Sequence, residues 1–544
     1  MTRLHLNPLL VVSAAVAALV GLPVASVLTN ILSGGTGAIW SHLAATVLPD
    51  YVANTLVLCL TVGLGVVVVG VATAWLTTMH EFPGRRIFEW ALILPLAMPA
   101  YVLAYVYTDF LQFVGPLQSF LRESFGWSKA DYWFPEVRSL GGAVCMFVFV
   151  LYPYVYLLTR TAFTERASGM LEAARTLGLG PWRSFFRVSL PLARPAVAAG
   201  AALALMETLA DYGTVSYFGV QTFTTGIYRA WFSLGDRIAA AQLAAALLCF
   251  VLLLLMIERR SRGRSRFHDT TGRNRPRAGQ RLSGWRGWLA SAVCALPLTI
   301  GFLLPAGLLL RLGLGSGEAR FGEQFFTMVR NSFVLAGLTA TIAVSLALLL
   351  AYGARLSKGL LPRALNRLVS LGYAVPGSVI AVGVLIPVSR LDIWLAGQWQ
   401  DWFGTNPGLL LTGGIAALIY AYLVRFLAVA LQAVNTSLAK ITANMDDAAR
   451  GLGLGQSATL RRVHLPILRG SLFTAGLLVF VDVMKELPAT LVMRPFDFDT
   501  LATQAYTLAS DERLAEAASA SLAIVAVGLL PLIAMSRQIS RRRR

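Results

Sequence analysis

The chain has 544 residues, of which 56% are hydrophobic and 13% charged, with 46 Lys+Arg against 27 Asp+Glu and a formal net charge of +19. A soluble domain carries roughly 25% charged residues, so this chain lacks the charge to coat a water-facing surface, while 28 Phe, 16 Tyr and 12 Trp exclude a disordered polymer. Its natural solvent is the bilayer.

Apolar stretches of about 20 residues, the length that crosses hydrocarbon at 1.5 Å per helical residue, fall near 9–32, 52–78, 88–113, 140–159, 195–212 and 238–257, then 287–310, 327–353, 368–389, 408–434, 470–484 and 515–535. They predict about twelve spanning helices in two sets of six, an all-α polytopic membrane protein. Helices are required because a backbone in lipid must satisfy its own hydrogen bonds, and the period-two alternation of a barrel is missing. The first run is long enough to be retained as a span.

With the amino terminus inside, the inner segments hold 33 Lys/Arg and the outer loops 10. Since Lys and Arg resist translocation, both termini are expected in the cytoplasm. The densest run, 259–286, holds ten arginines among Gly, Ser, Pro and Asn. It reads as a flexible linker between a first half, 1–258, and a second, 287–536, followed by a basic tail, 537–544. The positive charge therefore calls for no nucleic-acid partner. Cys59, Cys145, Cys249 and Cys294 lie singly in apolar tracts, without metal-ligand spacing or a disulfide framework.

The two sets are duplicates. At an offset of 275 residues, 172–191 aligns without gaps on 447–466, with eleven of twenty positions identical. Leu171 to Leu177 reads as a short helix ended by Gly178 and Gly180, residues that permit a left-handed turn. A second amphipathic segment, Trp182 to Val188, leads to Pro191, which can open the next span. The expectation is a helix-turn-helix on the cytoplasmic face, in which small Ala173 and Ala174 allow close approach of another protein and Glu172 and Arg175 make polar contacts.

This segment resembles the EAA motif of permease subunits of ATP-binding-cassette importers: Glu-Ala-Ala, a Gly four residues later, then Leu-Pro. The matching residues are Glu172, Ala173, Ala174, Gly178, Leu190 and Pro191, and in the second copy Asp447, Ala448, Ala449, Gly453, Leu465 and Pro466. Asp447 departs from Glu but keeps its charge. The resemblance implies a type I importer permease fold, with loops 165–191 and 440–466 each docking on a separate ATPase. Walker A requires Gly-Lys, and the four lysines follow Ser128, Ser357, Ala439 and Met484. ATP and Mg are therefore expected on a partner, two copies of a cytoplasmic ATPase, with no cofactor bound by this chain and no catalytic residue within it.

Sixteen residues beyond each Leu-Pro stand acids: Glu207 and Asp211 in the first half match Asp482 and Glu486 in the second at the same offset of 275. Acids four apart share a helix face. Carboxylates in spanning helices face a cavity or a partner. One reading is a carboxylate-lined stretch of the translocation path or its external gate, attracting a hard cation through oxygen ligands. The other is interhelical pairing, for example with Lys485, or exposure at the outer interface. Arg425, alone in an apolar span, reads as a snorkelling or paired structural residue. No metal site is assigned by spacing.

The length, the fused layout and the strings at 207–215 and 485–491 look like the fused permeases of bacterial ferric-iron importers. That resemblance implies an inner-membrane protein receiving ferric iron from a periplasmic or lipid-anchored binding protein. Fused permeases for thiamine are similar in layout, and related sets serve phosphonates. An ion-gradient-driven secondary transporter would also carry internal repeats, and the duplicated cytoplasmic motif argues against it. The five histidines, at 5, 42, 80, 268 and 464, are scattered, with His464 read as structural.

Overall fold

The apolar stretches fold as helices, and the only strand pairing among the described residues is a two-residue parallel bridge of His80–Glu81 with Gln280–Arg281. The computed structural model describes residues 8–32, 37–176, 179–262, 280–315, 322–357 and 359–541. Among these, 11 helices are long and apolar enough to cross a membrane, or up to 12 if a bent pair counts as one span. Along Leu48–Met79, Leu60, Leu64 and Val68 are 72%, 69% and 58% exposed, while Leu58, Val62 and Val66 are buried. Large apolar side chains on the outside, at helical spacing, are what a lipid-facing surface requires.

Three expectations about the spans need correction. The third, near 88–113, is broken: Arg85–Ala97 and Ala100–Phe125 bend by 91°. Pro95 and Pro99 stand at that break, and neither can donate to a helical ladder. The fifth and eleventh begin well before 195 and 470, running as Trp182–Ala210 and Gln456–Met484. The segment at Trp182 is therefore the first turn of the span rather than a separate helix before it. Leu190 N–H donates to the Phe185 carbonyl and Leu465 N–H to the Leu460 carbonyl, five residues back. These π turns at Phe185–Ser189 and Leu460–His464 let each helix continue through Pro191 and Pro466 with a widened turn. Finally, the segments after these spans are not plain external loops. They fold back as short helices, Gly213–Tyr217 and Phe223–Tyr228 in one half, Pro488–Met493 and Leu501–Ser510 in the other, all largely buried.

Small residues let the spans approach. A Cβ at Gly70 would lie 2.7 Å from Val155 Cβ, and one at Gly200 2.6 Å from Val155 Cα, so Leu48–Met79 and Leu190–Ala210 both close on Leu140–Thr176. The corresponding second-half positions hold Ser345 and Ala475, also small. The leading helices are exchanged. Pro8–Asn30 packs on Leu360–Ser370 and Gly377–Phe403 of the second half, and Leu304–Gly315 packs on Ala100–Leu111 of the first. The four cysteines are free, Cys294 buried and Cys145 and Cys249 exposed on the apolar surface.

Candidate functional site

Two structures carry the sequence-predicted residues, one at the motif end of the helices and one between the halves. In the second motif, Ala443–Gly451 is a short helix that ends in a left-handed turn at Gly453, φ 78°, before the chain re-enters helix at Gln456. The short helix and its turn are thus formed in this copy, while the second helix of the expected helix-turn-helix is the opening of the span Gln456–Met484. Asp447 and Ala448 are exposed with Leu452 and Gly453, while Ala449 is buried. Asp447 pairs with Arg450 at 2.7 Å on that open surface. Leu465 and Pro466 follow on the next helix, also exposed.

What holds this helix down is a group the sequence reading passed over. Asp446 accepts from Arg355 Nη2 at 2.7 Å and lies 2.7 Å from His464 Nε2. Arg355 also donates to the carbonyls of Leu438 and Ile441, and His464 packs edge-on to Tyr352 at 5.6 Å. Burial pushes the Asp446 carboxyl up, but the hydrogen bonds from Arg355 and His464 outweigh it and hold the group below its ordinary range. The only hint in the sequence was a second acid beside Asp447, where the first copy has Leu171 before Glu172.

In the first motif the helix is not separate. Leu140–Thr176 runs on from the span through Glu172, Ala173 and Ala174. Ala167, a strong helix former, stands where Thr442 precedes the second short helix. The side chains of Glu172, Ala173 and Ala174, and Gly178 as a whole, lie outside the described residues, as do 263–279 of the linker. Leu190 is half-buried and Pro191 exposed; Trp182 and Phe186 stack on the surface beside them, ring centroids 6.3 Å apart.

The acids meet in the middle of the molecule. Glu207, Asp211, Asp482 and Glu486 all line one cavity with Arg425, Lys485 and Tyr154. They do not play one role. Asp211 accepts from the backbone N–H groups of Thr214 and Val215 at 2.8 and 3.3 Å. Glu486 accepts likewise from Ala489 and Thr490 at 2.9 and 3.1 Å. Each thus satisfies the open start of a re-entrant helix. Glu207 instead takes a hydrogen bond from Tyr373 Oη at 2.8 Å and faces Arg425 Nη2 at 3.6 Å. Asp482 pairs with Lys485 at 3.0 Å. Arg425, the isolated span arginine, is 7% exposed, and also reaches Glu486 at 3.4 Å. Three of the four acids face a cation, Glu207 and Glu486 at Arg425 and Asp482 at Lys485 three residues on, and all four line the cavity.

This cluster roofs a second, larger cavity of about 610 Å³ between the halves, which shares Tyr154, Tyr373, Asp482 and Lys485 with it. That space continues past Leu203 and Leu255 to Gln432 and Thr436, toward the motif end. On the other side of the roof the halves close: Tyr212 and Tyr228 of the first half stack at 3.7 Å, Tyr506 of the second packs on Tyr212, and Tyr228 Oη bonds the Pro488 carbonyl. Among the described residues no three His, Cys, Asp or Glu side chains are grouped to hold a metal ion.

Residues 66–261 match the family described as binding-protein-dependent transport system inner membrane component. The chain is 26% identical over 493 residues to the Fe(3+)-transport system permease protein FbpB 2 of Haemophilus influenzae, covering 90% of each. It is 24% identical over 462 residues to the putative ferric transport system permease protein FbpB 1 of the same organism, covering 81% of this chain and 70% of the relative. The molybdenum transport system permease protein ModB of Escherichia coli matches at 28% identity over 194 residues, 35% of this chain and 82% of the relative.

Proposed function

Because the chain is a permease subunit of the binding-protein-dependent ABC importer family, and no enzyme itself, we propose that it carries ferric iron across a bacterial inner membrane. Similarity to permeases named for ferric transport extends over nine-tenths of the chain in one relative and 81% in another. Similarity to the molybdenum permease is confined to about one-third. Residues 1–258 and 287–536 serve as the two permease halves, with both termini in the cytoplasm on the strength of the 33-to-10 distribution of Lys and Arg.

The observation that carries the mechanism is the repeated motif at the end toward which the central cavity extends. Two cytoplasmic ATPase subunits, holding ATP and Mg, dock on loops 165–191 and 440–466 through Glu172, Ala173, Ala174, Gly178, Leu190 and Pro191 and their second-half counterparts. A periplasmic or lipid-anchored binding protein delivers the substrate to the opposite end. ATP-driven closure of the motor draws the loops together and opens the path toward the binding protein; hydrolysis resets it. The cavity extending toward the motif end, roofed by the acids, corresponds to the reset, inward-directed state. Glu207, Asp211, Asp482 and Glu486 line the path.

The test is uptake by proteoliposomes containing permease, ATPase and binding protein, supplied in parallel with ferric iron, thiamine, a phosphonate and molybdate. ATP-dependent accumulation of iron alone supports the reading. Uptake of one of the others in place of iron overturns the substrate, and uptake without the ATPase overturns the mechanism.

A further inference from the structure

The four path acids divide into two that are occupied by backbone and two that are not. Asp211 and Glu486 each accept from the start of a re-entrant helix. Glu207 and Asp482 remain, and two cations, Arg425 and Lys485, face them. Both cations come from the second half. At the same offset of 275 the first half places Val150 and Ala210. The duplication thus kept the acids in both halves and the cations in one.

Of the ion pairs these two cations make, that of Arg425 with Glu207 crosses the boundary. The Arg425 side chain is nine-tenths buried, with Nη1 3.4 Å from Glu486 Oε1 and Nη2 3.6 Å from Glu207 Oε2, and Nε makes no hydrogen bond. Glu207 stands on Leu190–Ala210 of the first half and Arg425 on Ala416–Leu438 of the second. Tyr373, again from the second half, donates to the same carboxylate. Gly377 makes room for the pair, since a Cβ there would lie 2.6 Å from Glu486 Oε1 and 3.1 Å from Arg425 Nη1. The pair sits between the large cavity and the tyrosine seam of Tyr212, Tyr228 and Tyr506 that closes the other side.

We propose that Arg425 is a built-in counter-ion that latches the outer side of the path shut by holding Glu207 of the opposite half. An unpaired carboxylate at this depth is costly, so Glu207 needs a cation in every state. Arg425 supplies it while the path is closed outward. Parting the halves at the seam takes Glu207 away from Arg425 and frees it, with Asp482 nearby, to meet an incoming hard cation through oxygen. Cargo and Arg425 then exchange on one carboxylate, and the latch re-forms once the cation has moved on. The cationic cargo in this account rests on the proposed substrate; the latch itself does not.

The experiment uses the permease–ATPase complex in proteoliposomes, with Cys59, Cys145, Cys249 and Cys294 replaced and a reporter Leu487→Cys placed under the seam. A membrane-impermeant thiol reagent is added from the binding-protein side without ATP. Arg425→Gln and, separately, the near-isosteric Glu207→Gln should each make the reporter react several-fold faster and raise ATP hydrolysis in the absence of binding protein. The exchange Arg425→Glu with Glu207→Arg should restore part of the protection. Unchanged reactivity and unchanged basal hydrolysis in assembled Glu207→Gln complexes would overturn the latch, even if Arg425→Gln fails to assemble. Because this readout needs no cargo, it can fail while wild-type iron uptake succeeds, and succeed if the substrate proves to be another.

Discussion

Asp211 and Glu486, 275 positions apart, bind the backbone in the same way. Each accepts hydrogen bonds from the N–H groups three and four residues ahead, Thr214 and Val215 for one, Ala489 and Thr490 for the other. The difference between them is Arg425, which reaches Glu486 and has no counterpart beside Asp211.

Glu486→Ala should therefore be the more damaging substitution. It strands two backbone donors and breaks a buried ion pair, a loss of about 3–5 kcal/mol, whereas Asp211→Ala removes hydrogen bonds worth about 1–3 kcal/mol. Thermal unfolding of the two purified variants in one detergent checks the order. Equal losses would mean that Arg425 adds nothing to the pair.

Gly453 adopts φ 78° at the turn of the second motif. A β-branched side chain there is strained by about 1–2 kcal/mol, so Gly453→Val should distort the proposed docking surface while leaving the apolar spans free to insert. The expected outcome is normal membrane abundance with uptake abolished, and the same for a bulky residue at the matched Gly178. Full uptake by either variant would remove that loop from the coupling machinery.

The Asp446 carboxyl is held below its ordinary range, burial being outweighed by the bonds from Arg355 and His464. A depressed carboxylate contributes stability above its unfolded value, about 3.9, and loses it as pH falls through the folded value. Melting temperature should then be insensitive to this group near neutrality and fall steeply only below about pH 4. Asp446→Asn should lower the neutral melting temperature and flatten that acid fall. Parallel curves for the two proteins would show that Asp446 is not the group responsible.

Asp392 is fully buried and accepts from the N–H groups of Leu410, Leu411 and Thr412 and from the Thr412 hydroxyl, at 2.6 to 3.0 Å. It pins the segment between two spans. Asp392→Ala leaves all four donors unsatisfied, and folded yield after detergent extraction should drop sharply, on the order of 3 kcal/mol or more in stability. A yield like that of wild type would mean water replaces the carboxylate freely.

The parts of this architecture that local sequence encodes were legible. Span number and the doubled motif follow from apolar length and from the offset of 275, and the acids were found because the same offset pairs Glu207 with Asp482 and Asp211 with Glu486. What the offset does not encode was missed or left open. Glu207 and Arg425 lie in different halves, so only packing shows that they meet. The π turns at Phe185–Ser189 and Leu460–His464 leave no periodic trace, which is why the fifth and eleventh spans were read too short. The re-entrant helices are short and two of them are preceded by capping boxes, at Thr222 and Thr500, a pattern shared with surface loops. Asp446 was overlooked because its partners, Arg355 and His464, are distant in sequence.

The most direct test of the account is site-specific photocrosslinking from the two motif loops, with the probe at Arg175 in one and Arg450 in the other, in membranes containing the ATPase. Both positions should yield adducts with the ATPase, and loss of those adducts on adding Gly453→Val at the second loop should track loss of uptake. An intact, transporting complex whose ATPase crosslinks elsewhere and never to these two loops would contradict the central claim.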